Sequence, residues 1–78
     1  MDLAEAKKIY PPLFVVYDHP KDHPRWIVVR VWYGEYASGE TILRVNLEMA
    51  RKAIWCMGGE VKLPKNCFDD PIILESWI

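Results

Sequence analysis

The feature that most constrains this chain is an eight-residue run, 26–33, in which both faces of a β-strand would be apolar. Its β-branched and aromatic residues are typical of a strand, and successive side chains of a strand point to opposite faces. One face therefore carries Ile27, Val29, Val31 and Tyr33. The other carries Trp26, Val28, Arg30 and Trp32, where a half-exposed antiparallel sheet would carry polar residues. The run predicts a strand that is covered on both sides.

Four weaker strand patterns and one clear helix pattern accompany this run. The strand patterns are apolar stretches bounded by turn residues, at 13–17, 41–45, 60–63 and 72–78. A helix from Leu47 to Met57 is predicted because Asn46 is a favourable N-cap and Gly58 and Gly59 can adopt the left-handed conformation that ends helices.

The first ten residues predict a second, short helix. Asp2 is an N-cap residue with Glu5 three positions later, which is a helix-start signal. Pro11 and Pro12 then force the chain into an extended conformation.

These elements predict an α+β fold. At 78 residues the chain is long enough for one domain only, so we assign 1–78 to a single domain. Residues 13–78 would form an antiparallel or mixed sheet of four to five strands with the 47–57 helix on one face. Residues 1–10 would form the N-terminal helix.

The last strand pattern adds apolar residues to the sheet face away from the main helix. Its alternation directs Ile72, Leu74 and Ile78 to the core and leaves Ile73, Glu75 and Trp77 outside. The resulting aromatic face comprises Trp26, Val28, Trp32, Ile73 and Trp77. Because large apolar patches are rarely left exposed, either the N-terminal helix or a second copy of the chain is expected to cover it. We expect a homo-oligomer with this face as its interface.

Charge and hydropathy exclude several classes of protein. The net charge of -1 and the lack of a basic tract argue against general DNA or RNA binding. No run of 18 apolar residues is present, and the first residues lack the pattern of a secretory signal, so we expect a cytoplasmic protein without a membrane span. In that reducing compartment, Cys56 and Cys67 are expected to be free thiols.

Catalytic and cofactor motifs are missing. Apart from tyrosines, the hydroxyl side chains are Ser38, Thr41 and Ser76, and none lies in a G-x-S-x-G pattern. No glycine-rich phosphate loop occurs. Asp69 and Asp70 precede a proline and a strand, as in a turn. We therefore predict that the chain is not an enzyme, with no catalytic residues and no cofactor.

The loop 18–24, with the sequence DHPKDHP, offers four potential metal ligands. Its H-x3-H spacing suits zinc only on a helix, and Pro20 and Pro24 prevent a regular helix here. We predict a solvated loop without metal. A small hydrolase that uses the histidines and aspartates of this loop remains a third interpretation.

Arginine and tryptophan side chains outside the core form the candidate binding site: Arg30, Arg44, Arg51 and Trp55. Arginine binds phosphate or carboxylate through two hydrogen bonds, and aromatic rings stack on bases. This set predicts an anionic ligand, either nucleotide-like or a carboxylate-rich protein surface, and little loss of stability on removal of Arg51. The structural alternative is that Arg30 pairs with Glu75 and that Arg51 packs on Trp55.

Three segments carry a resemblance to known sequences: VYDHPKD at 16–22, VVRVW at 28–32 and DDPIILESWI at 69–78, together with Met49, Ala50 and Arg51 in the helix. This pattern, spread over 14–78, resembles a group of small, uncharacterised proteins encoded by phages and prophages. The resemblance transfers no activity and no functional residue.

The resemblance implies a non-enzymatic binding protein that acts stoichiometrically inside a bacterial host cell. It would inhibit a host defence protein or sequester a nucleotide signal. The alternative is a phage structural or assembly accessory protein whose aromatic sheet face contacts other proteins.

Overall fold

The fold is built on a five-stranded antiparallel sheet. The computed structural model describes residues 1–64 and 71–78. Its strands are β1 (Leu13–Asp18), β2 (Ile27–Tyr33), β3 (Tyr36–Arg44), β4 (Lys62–Leu63) and β5 (Ile73–Trp77). They lie in the order β3-β2-β1-β5-β4, so β3 and β4 form the edges. The predicted α+β fold class is confirmed.

Both predicted helices are present: α1 spans Leu3–Ile9 and α2 spans Leu47–Cys56. The side chain of Asp2 accepts a hydrogen bond from the Glu5 N–H at 2.9 Å. The side chain of Asn46 accepts one from the Met49 N–H at 2.9 Å. These caps satisfy backbone donors that have no partner inside a helix, which is why the cap residues identify the helix starts.

The main core lies between α2 and the sheet. Its buried residues are Phe14, Val16, Ile27, Val29, Val31, Ala50 and Ile54. Directly after α2 the chain passes close to this core, since a Cβ added at Gly59 would lie 2.4 Å from a methyl carbon of Ile54. Ile27, Val29 and Val31 belong to this core and Tyr33 packs against it, which confirms the predicted core face of β2.

The opposite sheet face is covered within the chain itself. Helix α1 contacts β2 and β3, and Ala6 is fully buried without belonging to the core under α2. Val28 is 0% exposed on this face, and Pro20 in the 18–26 loop is also buried. Of the two predicted covers, the N-terminal helix is therefore seen to pack against the sheet, and Val28 is buried within the single chain.

The assignment of faces in the last strand is wrong at Glu75 and Trp77, whereas Leu74 packs against the core as predicted. Trp77 lies opposite Phe14 and Glu75 opposite Val16, so both share the face of α2. The register between β1 and β5 shifts between Val16 and Tyr17, and Leu74 also packs against the core. A β-bulge breaks the two-residue alternation, and the alternation was the basis of the assignment.

No helix in the described ranges is long and apolar enough to cross a membrane. The predictions for Cys67 and for a turn at Asp69 and Asp70 lie outside the described residues.

Candidate functional site on helix α2

The four residues proposed to bind an anion lie in three separate places. Arg51 and Trp55 are one helical turn apart on α2. Arg44 ends β3 and lines a groove between β3 and α2. Arg30 is on β2, on the sheet face away from α2, because it lies opposite Val15 rather than opposite a residue of the main core. Only Arg51 and Trp55 share one surface.

Arg51 binds the carboxylate of Glu75 through two hydrogen bonds. Its Nε donates to Oε1 and one of its Nη atoms donates to Oε2, both at 2.8 Å. The Nε1 of Trp77 donates to Oε1 at 2.9 Å, and the Nζ of Lys62 lies 3.5 Å from Oε2. The Glu75 side chain is only 3% exposed, whereas that of Arg51 is 46% exposed. The guanidinium is therefore held in one orientation with part of its surface open to solvent.

The charges of this cluster do not cancel. Two cations, Arg51 and Lys62, contact the single carboxylate of Glu75. The hydrogen bond from Arg51 is the main cause that lowers the pKa of the Glu75 carboxyl to about 2, and it outweighs burial, which acts in the opposite direction. Glu75 is therefore ionised at neutral pH, and the cluster carries one net positive charge.

This cluster corrects two expectations for Arg51. The structural alternative had Arg51 packing on Trp55 and Arg30 pairing with Glu75, whereas Glu75 is the partner of Arg51. Removal of Arg51 was also expected to cost little stability. The two hydrogen bonds to Glu75 argue against that expectation, because a buried carboxylate would lose its main partner.

Trp55 is the most exposed tryptophan of the chain, at 67%. It follows Arg51 by four residues, so the two side chains emerge from the same side of α2. The helix that carries Trp55 is fixed by Ala50 and Ile54, which are buried in the core. An apolar ring is thus presented to solvent from a rigid element beside a cation.

A groove separates α2 from β3 on the other side of the helix. This α2–β3 groove has a volume of about 760 Å³ and is lined by Glu40, Thr41, Ile42, Arg44, Met49, Lys52, Ala53, Cys56 and Met57. Arg44 is half-buried and donates to the carbonyl of Leu43 at 2.8 Å. Within 1–64 and 71–78 no carboxylate pairs with Arg44.

Arg30 has a structural role on the opposite face. Its guanidinium hydrogen-bonds to Asp22 and lies over the ring of Tyr17, with 5.4 Å to the ring centroid. These contacts hold the 18–26 loop against the sheet. In the same loop His19 contacts Asp18 and His23 lies 3.8 Å from Asp22. The part of the chain that the structure describes contains no group of three or more potential metal ligands.

The proposed interface residues do not form one open surface. Val28 is fully buried, Trp32 and Ile73 are half-buried and Trp26 is 36% exposed. Trp77 lies on the face of α2, where it contacts Glu75. The burial of Val28 and the position of Trp77 remove the continuous aromatic face that the alternation predicted.

Sequence reasoning missed Glu75, Lys62 and Trp77 as one cluster. The available signal was Glu75 itself, a charge within the last apolar strand, together with an arginine on the helix that packs against the sheet. Buried carboxylates are rare unless they are paired, so this strand required a cationic partner. Its identity depended on the register of β5, and the β-bulge had hidden that register.

Comparisons with protein-family models, curated proteins and solved structures find no match for this chain.

Proposed function

We propose that this chain is a non-enzymatic binding protein that recognises a partner protein through the outer side of α2, with Trp55 at the centre of the contact. The observation that carries this proposal is the 67% exposure of Trp55 on a helix that is anchored in the core. Tryptophan and arginine are enriched at the interface positions that contribute most of the binding free energy. Trp55 and Arg51 provide this pair.

The shape of this surface supports a protein partner over a small molecule. Small-molecule sites are concave and enclose most of the ligand. Trp55 lines neither the α2–β3 groove nor a smaller groove beside β4 formed by Lys62, Leu63, Pro64, Leu74 and Glu75. A ring that projects from a helix instead fits into a pocket of a macromolecular partner.

The chemistry of the surface defines the partner. The cluster of Arg51, Lys62 and Glu75 carries one net positive charge, and Trp55 supplies an apolar contact. A complementary surface has an apolar pocket with a carboxylate beside it. Arg51 enters the complex preorganised, because Glu75 already fixes its orientation, and less side-chain entropy is lost on binding.

The sequence resemblance to small phage and prophage proteins implies a cellular setting for this proposal. On that basis the partner is a bacterial host protein in the cytoplasm, and the chain acts by occupying it stoichiometrically. The assembly-accessory alternative depended on one aromatic sheet face, and the separation of Trp32 and Trp77 onto opposite faces weakens it.

The test compares proteins captured from a bacterial lysate by the wild-type chain, by Trp55→Ala and by Lys52→Ala. Lys52 is an exposed control on the same helix, where its Nζ lies 3.8 Å from a carboxylate oxygen of Glu48. We expect a protein that binds the wild type and Lys52→Ala but not Trp55→Ala. If the captured proteins are identical for all three, Trp55 is not the binding centre.

A thermal-shift screen of linear and cyclic nucleotides tests the nucleotide-sequestering alternative. A ligand at a hundredfold its dissociation constant stabilises the folded state by about 2.7 kcal/mol. A shift with one nucleotide that Arg44→Ala abolishes, while Trp55→Ala retains it, would move the binding site to the α2–β3 groove and contradict the proposal.

A further inference from the structure

Strand β3 has an open edge. This nine-residue strand is at one edge of the sheet, and no strand of the described ranges pairs with its outer side. From Thr41 to Arg44 it pairs regularly with β2, and the register shifts beyond that stretch, near Gly39. Open edges attract further strands, and proteins usually protect them with proline, lysine or a bulge. Strand β3 has a bulge between Ala37 and Thr41, whereas its regular part, 41–44, contains neither proline nor lysine.

Ile42 and Arg44 of β3 alternate towards the α2 side of the sheet, and Glu40, which lies in the bulged stretch between Ala37 and Thr41, lines the groove on the same side. Ile42 lies opposite Val29 and Arg44 opposite Ile27, both of which belong to the core under α2. All three side chains line the α2–β3 groove. Along this edge the order is an acid, an apolar residue and a base, each two positions apart.

This order is complementary to its own reverse. In an antiparallel pair of strands, residues directly opposite each other lie on the same face of the sheet. If two copies pair with Ile42 at the two-fold axis, each Glu40 faces the Arg44 of the other copy and the two Ile42 side chains face each other. Arg44 then gains a carboxylate partner that the described residues of its own chain do not supply.

We propose that two copies of this chain form a symmetric dimer by antiparallel pairing of their β3 edges, which joins the two sheets into one ten-stranded sheet. Both α2 helices then lie on the same face, on either side of the axis. The two α2–β3 grooves meet there and bring together the exposed Met49 and Met57 of each copy. This interface differs from the aromatic face predicted from the sequence, because α1 and the 18–26 loop already cover much of that face.

The charge pattern favours a second copy over an unrelated extended peptide. A foreign segment would need a base, an apolar residue and an acid at matching spacing, whereas the chain itself carries this complement at the correct positions. A two-fold interface also requires a surface that is complementary to itself. The proposal is independent of the proposed function, since Trp55 does not line this groove.

The experiment measures molecular mass in solution by sedimentation for the wild type, Glu40→Arg, Arg44→Glu and an equimolar mixture of the two variants. Each single variant places like charges opposite each other, whereas the mixture restores an opposite-charge contact on both sides of the axis. Glu60→Arg is the control, because it makes the same charge change at an exposed position outside β3. Circular dichroism checks that every variant is folded.

We expect twice the 9.2 kDa chain mass for the wild type and for Glu60→Arg, the chain mass for each single variant, and dimers again in the mixture. A wild-type chain that stays monomeric at about 0.5 mM, well above a micromolar dissociation constant, would overturn the proposal. So would a dimer that both charge reversals leave intact, or a monomer whose β3 edge binds only a foreign peptide. If one variant fails to fold, the double variant Glu40→Arg with Arg44→Glu restores the pattern in reverse and must dimerise.

Discussion

A substitution at Glu75 tests most directly whether its contact with Arg51, which joins β5 to α2, stabilises the fold. Replacement by glutamine keeps the size of the side chain and removes the charge that Arg51, Trp77 and Lys62 stabilise. A fall of the Glu75 pKa from its ordinary 4.5 to about 2 corresponds to at most about 3–4 kcal/mol of folding stability at neutral pH. Because Arg51 is half exposed to water, which screens the interaction, we expect Glu75→Gln to lose about 2 kcal/mol at pH 7.

The pH dependence separates this electrostatic effect from a packing defect. A carboxyl with a lowered pKa stabilises the folded state fully above its unfolded-state pKa, and this contribution is lost as the pH falls through the folded-state value. For Glu75 the window runs from about 4.5 down to about 2. The stability difference between wild type and Glu75→Gln should therefore shrink across this window, while other carboxyls titrate equally in both proteins.

Urea denaturation followed by tryptophan fluorescence, at pH 7 and at pH 2.5, measures the stability difference between wild type and Glu75→Gln and its change with pH. Glu48→Gln is the matched control, because Glu48 is exposed on α2 and its oxygen lies 3.8 Å from Lys52 Nζ. Its loss should cost about 0.5 kcal/mol or less. Equal stability of wild type and Glu75→Gln at pH 7, or a difference that persists unchanged at pH 2.5, would refute the reasoning.

Two further predictions concern packing and metal independence. Gly59→Ala should destabilise the protein by about 1–3 kcal/mol in the same urea titration, because its Cβ would lie 2.4 Å from Ile54 and 3.0 Å from Phe14; an unchanged stability would contradict this packing. Dialysis against a chelator should leave the melting temperature unchanged, because His19 and His23 each contact a single aspartate, and stoichiometric zinc in elemental analysis would contradict this prediction.

The elements that the sequence predicted well depend on local interactions. Asp2 and Asn46 identify the starts of α1 and α2 because each cap bonds a backbone N–H three residues later. The alternation of β2 predicted its core face because no bulge interrupts its pairing with β1. The presence of these elements could therefore be predicted from neighbouring residues alone.

The elements that the sequence predicted poorly depend on pairing between distant segments. Strand β3 begins at Tyr36 rather than at position 41, because a hairpin turn at Gly34, whose φ is +62°, extends its pairing with β2. The faces of β5 were inverted at Glu75 and Trp77 because the register shift relative to β1 leaves no trace in the local pattern.

For the same reason, only half of the candidate site could be predicted from the sequence. Arg51 and Trp55 were chosen as residues outside the core stripe of one helix, and helical periodicity placed them together correctly. Arg30 and Arg44 were added on residue type alone: Arg30 lies on the opposite sheet face, and Arg44 lines the α2–β3 groove on the other side of the helix. Periodicity predicts which residues of one helix or strand share a face. Which residues of different elements lie close together depends on the topology of the fold.

The central claim is that Trp55 is the centre of a stoichiometric protein contact. Isothermal titration of the captured partner with wild type, Trp55→Ala and Lys52→Ala tests it directly. We expect one partner per chain, a Trp55→Ala affinity weaker by about 2 kcal/mol or more, and an unchanged affinity for Lys52→Ala. Equal affinities for the wild type and Trp55→Ala, with the variant folded, would contradict the claim.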